Sequence, residues 1–175
     1  MKEVRPTSGK VLSALFSILG GLGGLDGIDF LDLFAGTGRV GIEALKRGAS
    51  SVVLVETLKD RARAIGQAIP AELADRAAVL SLELRRGVTW LVKRGRVFDV
   101  VFADPPYLEG WGASLLRLET LPKILKEGGV MVVERASREE LVAPAPWTVA
   151  EDRIYGETAL TFLRLGSPEI TEGHS

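Results

Sequence analysis

The chain has 175 residues, 46% of them hydrophobic, and a formal net charge of −1, which together predict one domain with a substantial buried core. It has no cysteine and one histidine, His174, near its polar C-terminus, so disulfides and thiolate metal sites are excluded and a zinc enzyme or Ser-His-Asp hydrolase is strongly disfavoured. The near-neutral charge gives no general attraction to nucleic acid, so binding of that kind would depend on a local basic patch.

The apolar pattern predicts a short helix over residues 8–20, capped by Thr7 or Ser8, followed by alternating strands and helices. We expect strands over residues 28–34, 51–56, 77–82, 97–103 and 129–134, and two more from residue 147 onward, the last over residues 158–165. We expect helices over residues 40–47, 58–69, 88–93, 115–125 (with a kink or break at Pro122) and 138–142.

This alternation predicts an α/β fold with a mostly parallel sheet that carries helices on both faces. Residues 1–166 would form a single domain, and residues 167–175 a polar tail. No apolar stretch approaches the length of a membrane span, and the N-terminus lacks a signal-peptide core. We therefore expect a cytoplasmic protein without a membrane partner.

A glycine-rich turn with the pattern G-x-G-x-x-G begins at Gly36, between the first predicted strand and a helix. Such glycines let the backbone approach a ligand, and Glu56, at the end of the next strand, could accept hydrogen bonds from both ribose hydroxyls. Asp32, just before the turn, would repel a pyrophosphate but complement the ammonium group of S-adenosylmethionine. We therefore favour S-adenosylmethionine over a dinucleotide, although a tight turn without any cofactor stays open. The predicted cofactor-binding residues of this region are Asp32, Phe34, Gly36, Thr37, Gly38, Glu56 and Thr57.

The turn Asp104-Pro105-Pro106-Tyr107 follows directly the strand predicted over residues 97–103. Two consecutive prolines stiffen the turn and remove two backbone donors, which leaves its carbonyl groups free to accept. A carboxylate and an aromatic ring at its two ends could hold a planar group that bears an amine. Together with the glycine turn, this predicts methyl transfer to an exocyclic amine. The structural alternative is a stiff turn whose aspartate caps the next segment and whose tyrosine packs on a wall.

This pair of turns resembles the class I amino-methyltransferases that carry an Asp/Asn-Pro-Pro-aromatic motif after the fourth strand. The resemblance implies a Rossmann-like fold with a seven-stranded, mostly parallel sheet. It also implies that Asp104 and the Pro105 carbonyl accept hydrogen bonds from the target amine, while Tyr107 stacks on the base. Asp104, Pro105, Pro106 and Tyr107 are then the catalytic residues, and no metal is required.

Several further blocks are similar to the bacterial 16S ribosomal RNA guanine-N2 methyltransferases (RsmD-like). They are Arg5-Pro6-Thr7, residues 31–38, residues 41–49, Val55-Glu56 and Tyr155-Gly156-Glu157-Thr158. The resemblance implies methylation of a guanine N2 amine in ribosomal RNA, either naked or within the small ribosomal subunit, with no obligate protein partner. The candidate substrate-binding residues are Arg5, Thr7, Arg39, Trp111 and Tyr155.

One departure from this family lies before the predicted helix over residues 88–93. Where the family usually has an aspartate that binds the adenine amino group, this chain has Arg85-Arg86-Gly87. We therefore assign the adenine contact to backbone groups near Arg86.

Three alternatives remain open from the sequence. The same amine chemistry could act on adenine or cytosine in DNA or in another RNA. A nicotinamide-dependent oxidoreductase could use the same glycine turn, although the proline turn would then be unexplained. A non-catalytic ribosome-assembly factor is the third.

Overall fold

The computed structural model describes residues 7–106 and 110–166. The helices are α1 (Gly9–Gly21), α2 (Arg39–Lys46), α3 (Lys59–Ala68), α4 (Leu84–Lys93) and α5 (Trp111–Leu116), with short 3₁₀ helices over Ala71–Arg76 and Leu121–Ile124. The strands are β1 (Asp29–Asp32), β2 (Ser51–Val55), β3 (Ala77–Leu80), β4 (Phe98–Ala103), β5 (Leu125–Ala136), β6 (Trp147–Tyr155) and β7 (Thr158–Leu165).

The strands form one seven-stranded sheet in the order β3-β2-β1-β4-β5-β7-β6. The first five strands in this order are parallel, whereas β7 runs antiparallel to both β5 and β6. This arrangement confirms the predicted Rossmann-like, mostly parallel α/β sheet. The order reverses between β1 and β4, and in such folds ligands bind beyond the carboxyl ends of the strands at this point.

Helices cover both faces of the sheet, as predicted. On one face, Phe30, Phe102 and Val132 pack with buried residues of α1, α2 and α3. On the other face, Leu31, Val101 and Met131 pack with buried residues of α4 and α5. Alternate residues of β1, β4 and β5 thus supply the two cores, and nearly all of the apolar side chains of these strands are buried.

The N-terminal helix is capped by Ser8, whose side-chain oxygen accepts a hydrogen bond from the Val11 amide at 3.2 Å. Its buried residues recur at helical spacing, as the sequence pattern indicated, and Leu15 and Phe16 are almost fully enclosed. The buried face of α1 packs against the sheet. This packing holds the start of the helix, and the preceding residue Thr7, beside the ends of the central strands.

Two predicted helices are wrong. Residues 115–125 do not form a helix: α5 ends at Leu116, a 3₁₀ helix occupies Leu121–Ile124, and β5 begins at Leu125. Pro122 lies in the first turn of that 3₁₀ helix, where its missing amide costs nothing. Residues 138–142 form no helix either, because Arg135 donates hydrogen bonds to the Ala136 and Glu139 carbonyls and so holds the chain in a turn.

Within the described residues, none of the helices combines the length and apolarity that crossing a membrane requires.

Candidate active site

The carboxyl ends of three neighbouring strands bring the predicted residues together. Asp32, the last residue of β1, is the register partner of Leu54 on β2 and of Phe102 on β4. Glu56 lies two residues beyond Leu54, and Asp104 two residues beyond Phe102. The two turns that the sequence singled out therefore meet at the point where the strand order reverses.

The glycine turn is a tight left-handed connection between β1 and α2. Gly36 and Gly38 have φ angles of 57° and 79°, a region that glycine adopts without steric penalty. The Gly38 amide donates to the Ala35 carbonyl at 2.7 Å, and Gly38 is the N-cap of α2. A Cβ atom at Gly38 would lie 2.9 Å from the Ile65 side chain, so packing against α3 also requires glycine here.

Glu56 is oriented by the backbone around it. Its Oε2 accepts from the Gly36 amide at 2.9 Å, and its Oε1 accepts from the Leu58 amide at 3.1 Å. The side chain is buried, with 8% exposed. Because a carboxylate has about four acceptor positions, each oxygen retains capacity for a further hydrogen bond, such as one from a ribose hydroxyl.

Asp32 is a buried carboxyl group with an unsatisfied oxygen. Only 1% of it is exposed, and its Oδ1 has no hydrogen-bond partner among the described residues. Burial raises the pKa of Asp32 to about 7, the amides of Gly41 and Phe34 act against this rise, and the charges of Glu56 and Glu134 add to it. A buried acceptor without a partner at a strand end fits a ligand that brings a donor and a positive charge.

The proline turn begins at Asp104, which is partly exposed at the end of β4, with Pro105 buried and Pro106 exposed. Burial of the carboxyl group raises the pKa of Asp104 well above its usual range, and the nearby charges of Glu134 and Asp32 add to this rise. Tyr107 lies outside the described residues, so its predicted stacking role stays a prediction.

A fourth acid at this edge, Glu134, was absent from the sequence-based site. It lies on β5, is 4% exposed, and accepts a hydrogen bond from the Thr7 hydroxyl at 3.0 Å. The Thr7 carbonyl in turn accepts from Arg39 Nη1 at 2.7 Å. Thr7 and Arg39 thus connect the start of α1 with α2 and β5, whereas Arg5 lies outside the described residues. The signal available in the sequence was an acid at the end of the strand predicted over residues 129–134, directly after the apolar run of residues 130–133.

A cavity of about 390 Å³ lies between the start of α4 and helix α5. It is lined by Glu83, Leu84, Arg85, Trp111, Ser114, Leu115 and Leu118. The Trp111 ring meets the Phe34 ring edge-on, with 5.7 Å between ring centroids, so Trp111 packs beside the glycine turn.

Glu83 is a second acid that the sequence analysis missed. It is the N-cap of α4, and its carboxylate accepts from the Arg85 and Arg86 amides at 3.2 and 3.4 Å. The side chain of Arg86 is exposed on the first turn of α4. The helix predicted from the sequence began only at residue 88, directly after Gly87. Gly87 allows close packing on β2, where an added Cβ would lie 3.1 Å from Val55.

The remaining predicted residues lie around this edge. Thr37 and Thr57 are exposed in the turns after β1 and β2, and Tyr155 is half-buried at the end of β6. Tyr155 packs against the core on the α1 face. Within residues 7–106 and 110–166, no group of three or more His, Cys, Asp or Glu side chains is arranged to hold a metal ion.

Comparison with known proteins gives a consistent match over most of the chain. The family model described as "Conserved hypothetical protein 95" matches residues 1–164. The "Ribosomal RNA small subunit methyltransferase D" of Buchnera aphidicola is 29% identical, over 87% of this chain and 78% of the relative. The Bacillus subtilis protein named "Putative rRNA methyltransferase YlbH" is 35% identical, over 79% of this chain and 75% of the relative.

Among solved structures, an RNA methyltransferase from Salinibacter ruber in complex with S-adenosyl-L-homocysteine superposes with a TM-score of 0.71, over 94% of this chain and 97% of that one. At 17% identity, this likeness shows the shared fold alone.

Proposed function

This chain belongs to the family described as conserved hypothetical protein 95. From the names of its relatives and the geometry of the site, we propose that it methylates ribosomal RNA with S-adenosylmethionine as the donor. The acceptor in this proposal is the exocyclic N2 amine of a guanine in 16S ribosomal RNA. The name of the Bacillus subtilis relative supports ribosomal RNA as the substrate, and that of the Buchnera aphidicola relative supports the RNA of the small subunit. The guanine N2 amine is the finer part of the proposal and comes from the likeness of the sequence blocks.

The observation that carries the proposal is the convergence of Asp32, Glu56 and Asp104 at the switch point of the sheet. Asp32 offers a buried oxygen without a partner to the ammonium of the donor's methionine moiety. Glu56 keeps free acceptor positions for ribose hydroxyls, and its orientation is fixed by two backbone amides. These residues fit S-adenosylmethionine, which when bound supplies a methyl group on a positively charged sulfur.

The adenine end of the donor is assigned to the cavity beside the glycine turn. Glu83 lines this cavity, and its carboxylate could accept from an amino group there while it caps α4. Leu84 and Trp111 supply apolar walls for a planar ring. We therefore propose Glu83 in the adenine-reading role that the sequence had assigned to backbone groups near Arg86.

The amine of the acceptor base is proposed to bind at the proline turn. Asp104 and the carbonyl of Pro105 would accept its two N–H bonds, which aims the nitrogen lone pair at the methyl group. Orientation of this kind supplies much of the rate of a bimolecular transfer, so a dedicated histidine is not required.

RNA binding is proposed to use local charge, since the net charge of the chain is −1. Helix α4 carries the exposed basic residues Arg85 and Arg86 in its first turn, at the cavity, and exposed Lys93 in its last turn. Farther along, the Arg94 guanidinium lies 3.6 Å from the Trp90 ring centroid, which gives the helix a flat basic surface. Exposed cations and aromatic faces of this kind bind phosphates and unstacked bases.

Two measurements test the proposal. Isothermal titration calorimetry should show binding of S-adenosylhomocysteine to the purified protein, and absence of binding would remove the donor assignment. Nucleoside mass spectrometry of ribosomal RNA from cells that lack this gene should show the loss of one N2-methylguanosine. If a methylated adenosine or cytidine is lost instead, methyl transfer to an exocyclic amine is retained in the proposal, but guanine is not the acceptor.

A further inference from the structure

The Glu134 carboxyl group lies beside Asp104 at the same edge of the sheet. Ala103 on β4 and Val133 on β5 are register partners, so Asp104, which directly follows β4, comes level with Glu134 on β5. Side chains at matching positions of parallel neighbours point to the same face. Both groups therefore project toward α1, on the face that Asp32 also shares through its partner Phe102.

The position of Glu134 is fixed by the segment that precedes α1. Thr7 is buried, with 6% exposed, and its hydroxyl donates to Glu134 Oε2. The Thr7 backbone is held in turn by Arg39, whose Nη1 donates to its carbonyl. These contacts fix the Glu134 carboxyl group at the edge of the sheet on which Asp104 also lies.

We infer that Glu134 is a positioning residue that acts through Asp104 and makes the Asp104 carboxylate a stronger proton acceptor for the bound amine. This inference rests on the proposed function. Glu134 does not touch the acceptor base in this account, and Thr7 keeps it in place.

The chemistry balances with one proton leaving the amine. The amine nitrogen forms a bond to the methyl carbon as the carbon–sulfur bond breaks, and sulfur keeps that electron pair and becomes a neutral thioether. The nitrogen then carries a positive charge and gives a proton to Asp104, which releases it to water afterwards. A neighbouring negative charge increases the proton affinity of Asp104, so proton removal from a weakly basic aromatic amine becomes more favourable.

The directions in which the pKa values of the two carboxyl groups are shifted agree with this arrangement. Burial raises the pKa of Glu134, and the Thr7 hydrogen bond acts against that rise. After burial, the charge of Glu134 is the largest cause that raises the pKa of Asp104, ahead of Asp32. The acids that face Glu134 are Asp104 after β4 and Asp32 at the end of β1. On its other sides lie Thr7, which is held by Arg39, and the uncharged Leu160, its register partner on β7.

The first test measures the Asp104 carboxyl directly and needs no activity. Carbon-13 NMR of carboxyl-labelled protein would follow its titration, assigned by the signal lost in Asp104→Asn. In Glu134→Gln, which keeps an oxygen for Thr7, Asp104 should lose its proton at lower pH than in the wild type. The matched control is Glu127→Gln, an exposed glutamate on the same strand, which should leave the titration unchanged. An unchanged Asp104 titration in Glu134→Gln would overturn the inference.

The second test is the pH dependence of single-turnover methyl transfer. The wild-type rate should rise with pH as Asp104 loses its proton. In Glu134→Gln the inflection should move to lower pH, and the plateau rate should fall on the order of tenfold because the acceptor is less basic. A profile that is only scaled down, without movement of the inflection, would show a merely structural role for Glu134 and refute the inference.

A further pair of variants covers the case in which Glu134→Gln does not fold. Thr7→Val removes the hydroxyl that favours the charged form of Glu134, so the Asp104 titration should again move to lower pH, while Thr7→Ser should retain the wild-type behaviour. Equal titrations in these two variants would contradict the account. If the wild-type protein transfers no methyl group to ribosomal RNA, the proposed function fails and the role in transfer fails with it, whereas the NMR titration still decides whether the two carboxyl groups interact.

Discussion

The two ends of the central strands carry the same type of side chain in opposite environments. At the amino end, Asp29 of β1 and Asp99 of β4 share Lys126, whose Nζ lies 2.8 and 3.0 Å from their Oδ2 atoms. At the carboxyl end, Asp32 and Asp104 lie near further acids, and Asp32 Oδ1 has no partner among the described residues. The same two strands thus begin in an ion cluster in which one lysine bridges two carboxylates, and end in a group of acids.

The pKa values follow this difference. Burial acts to raise the pKa of Asp29, but hydrogen bonds from Lys126, Ser51 and Ser50, together with the Lys126 charge, bring it below 3.8. Burial raises the pKa of Asp32 to about 7, and the charges of Glu56 and Glu134 add to this rise, whereas at Asp29 the Lys126 charge acts against burial. The ion pairs at the amino end and the proposed functional acids at the carboxyl end thus differ in environment, and among the described residues the buried side-chain oxygen without a partner is Asp32 Oδ1, at the carboxyl end.

The largest expected effect contrasts the two ends of β4. Asp104→Ala should slow methyl transfer at least about 100-fold, because the amine loses the acceptor that orients it, while the affinity for S-adenosylhomocysteine stays nearly unchanged. Single-turnover assays and calorimetry would measure the two quantities. Asp99→Ala, at the other end of the strand, is the matched control and should transfer methyl groups at the wild-type rate. Full activity of Asp104→Ala would remove the distinction between the two ends.

The next effect concerns the cost of keeping Asp32 buried. Its pKa is higher in the folded chain than the ordinary 3.8, so the folded state binds more protons and loses stability as pH rises from about 4 to about 7. Asp32→Asn removes this loss. From pH 5 to pH 8, the free energy of unfolding of the variant should therefore gain roughly 2 kcal/mol relative to that of the ligand-free wild type.

Urea denaturation of both proteins at the two pH values would measure this difference. Asp29→Asn is the contrasting variant, since the pKa of Asp29 is lowered and its loss should remove stability near neutral pH instead. If the difference in the free energy of unfolding between the wild type and Asp32→Asn does not depend on pH, the pKa of Asp32 is not raised by folding and the prediction is wrong.

A smaller effect is expected at Glu56. Glu56→Ala should weaken binding of S-adenosylhomocysteine by about 1–3 kcal/mol, because a charged acceptor for the ribose and the support of the glycine turn are both lost. Calorimetric dissociation constants would check this value. Glu72→Ala, an exposed acid beyond α3, should bind as the wild type does, and equal constants for both variants would contradict the role of Glu56.

The smallest effect is expected in the ion cluster of Asp29, Asp99 and Lys126. Lys126→Met should lower the free energy of unfolding by no more than about 1 kcal/mol, because the ion pairs are partly exposed and screened by solvent. Methyl transfer and donor binding should not change. A loss of transfer in this variant would show that the two ends of the strands are coupled.

Much of the fold was readable from the sequence, because every strand and helix that packs a regular apolar face left a periodic pattern. The strands β1 to β4 and helices α1 to α3 follow this rule. Residues 115–125 broke it: Leu115, Leu116, Leu121 and Ile124 are all buried, yet they belong to two short segments with a turn between them. Burial alone does not distinguish one helix from two.

The site was readable in part for a related reason. Asp32 and Asp104 are marked by neighbouring glycines and prolines, which signal special backbone geometry. Glu134 has no such mark, since its role depends on Thr7, 127 positions away in the chain, and on the register of β4 with β5. Glu83 was missed because the start of α4 was placed four residues too late. Contacts of this range follow from the topology rather than from any local pattern.

The identity of the methylated nucleoside tests the central claim most directly. Ribosomal RNA and small-subunit particles would be incubated with the protein and methyl-labelled S-adenosylmethionine, digested, and analysed by mass spectrometry, with Asp104→Ala run in parallel. We predict labelled N2-methylguanosine with the wild type and none with the variant. No labelled nucleoside from either substrate, or equal labelling by both proteins, would contradict the account.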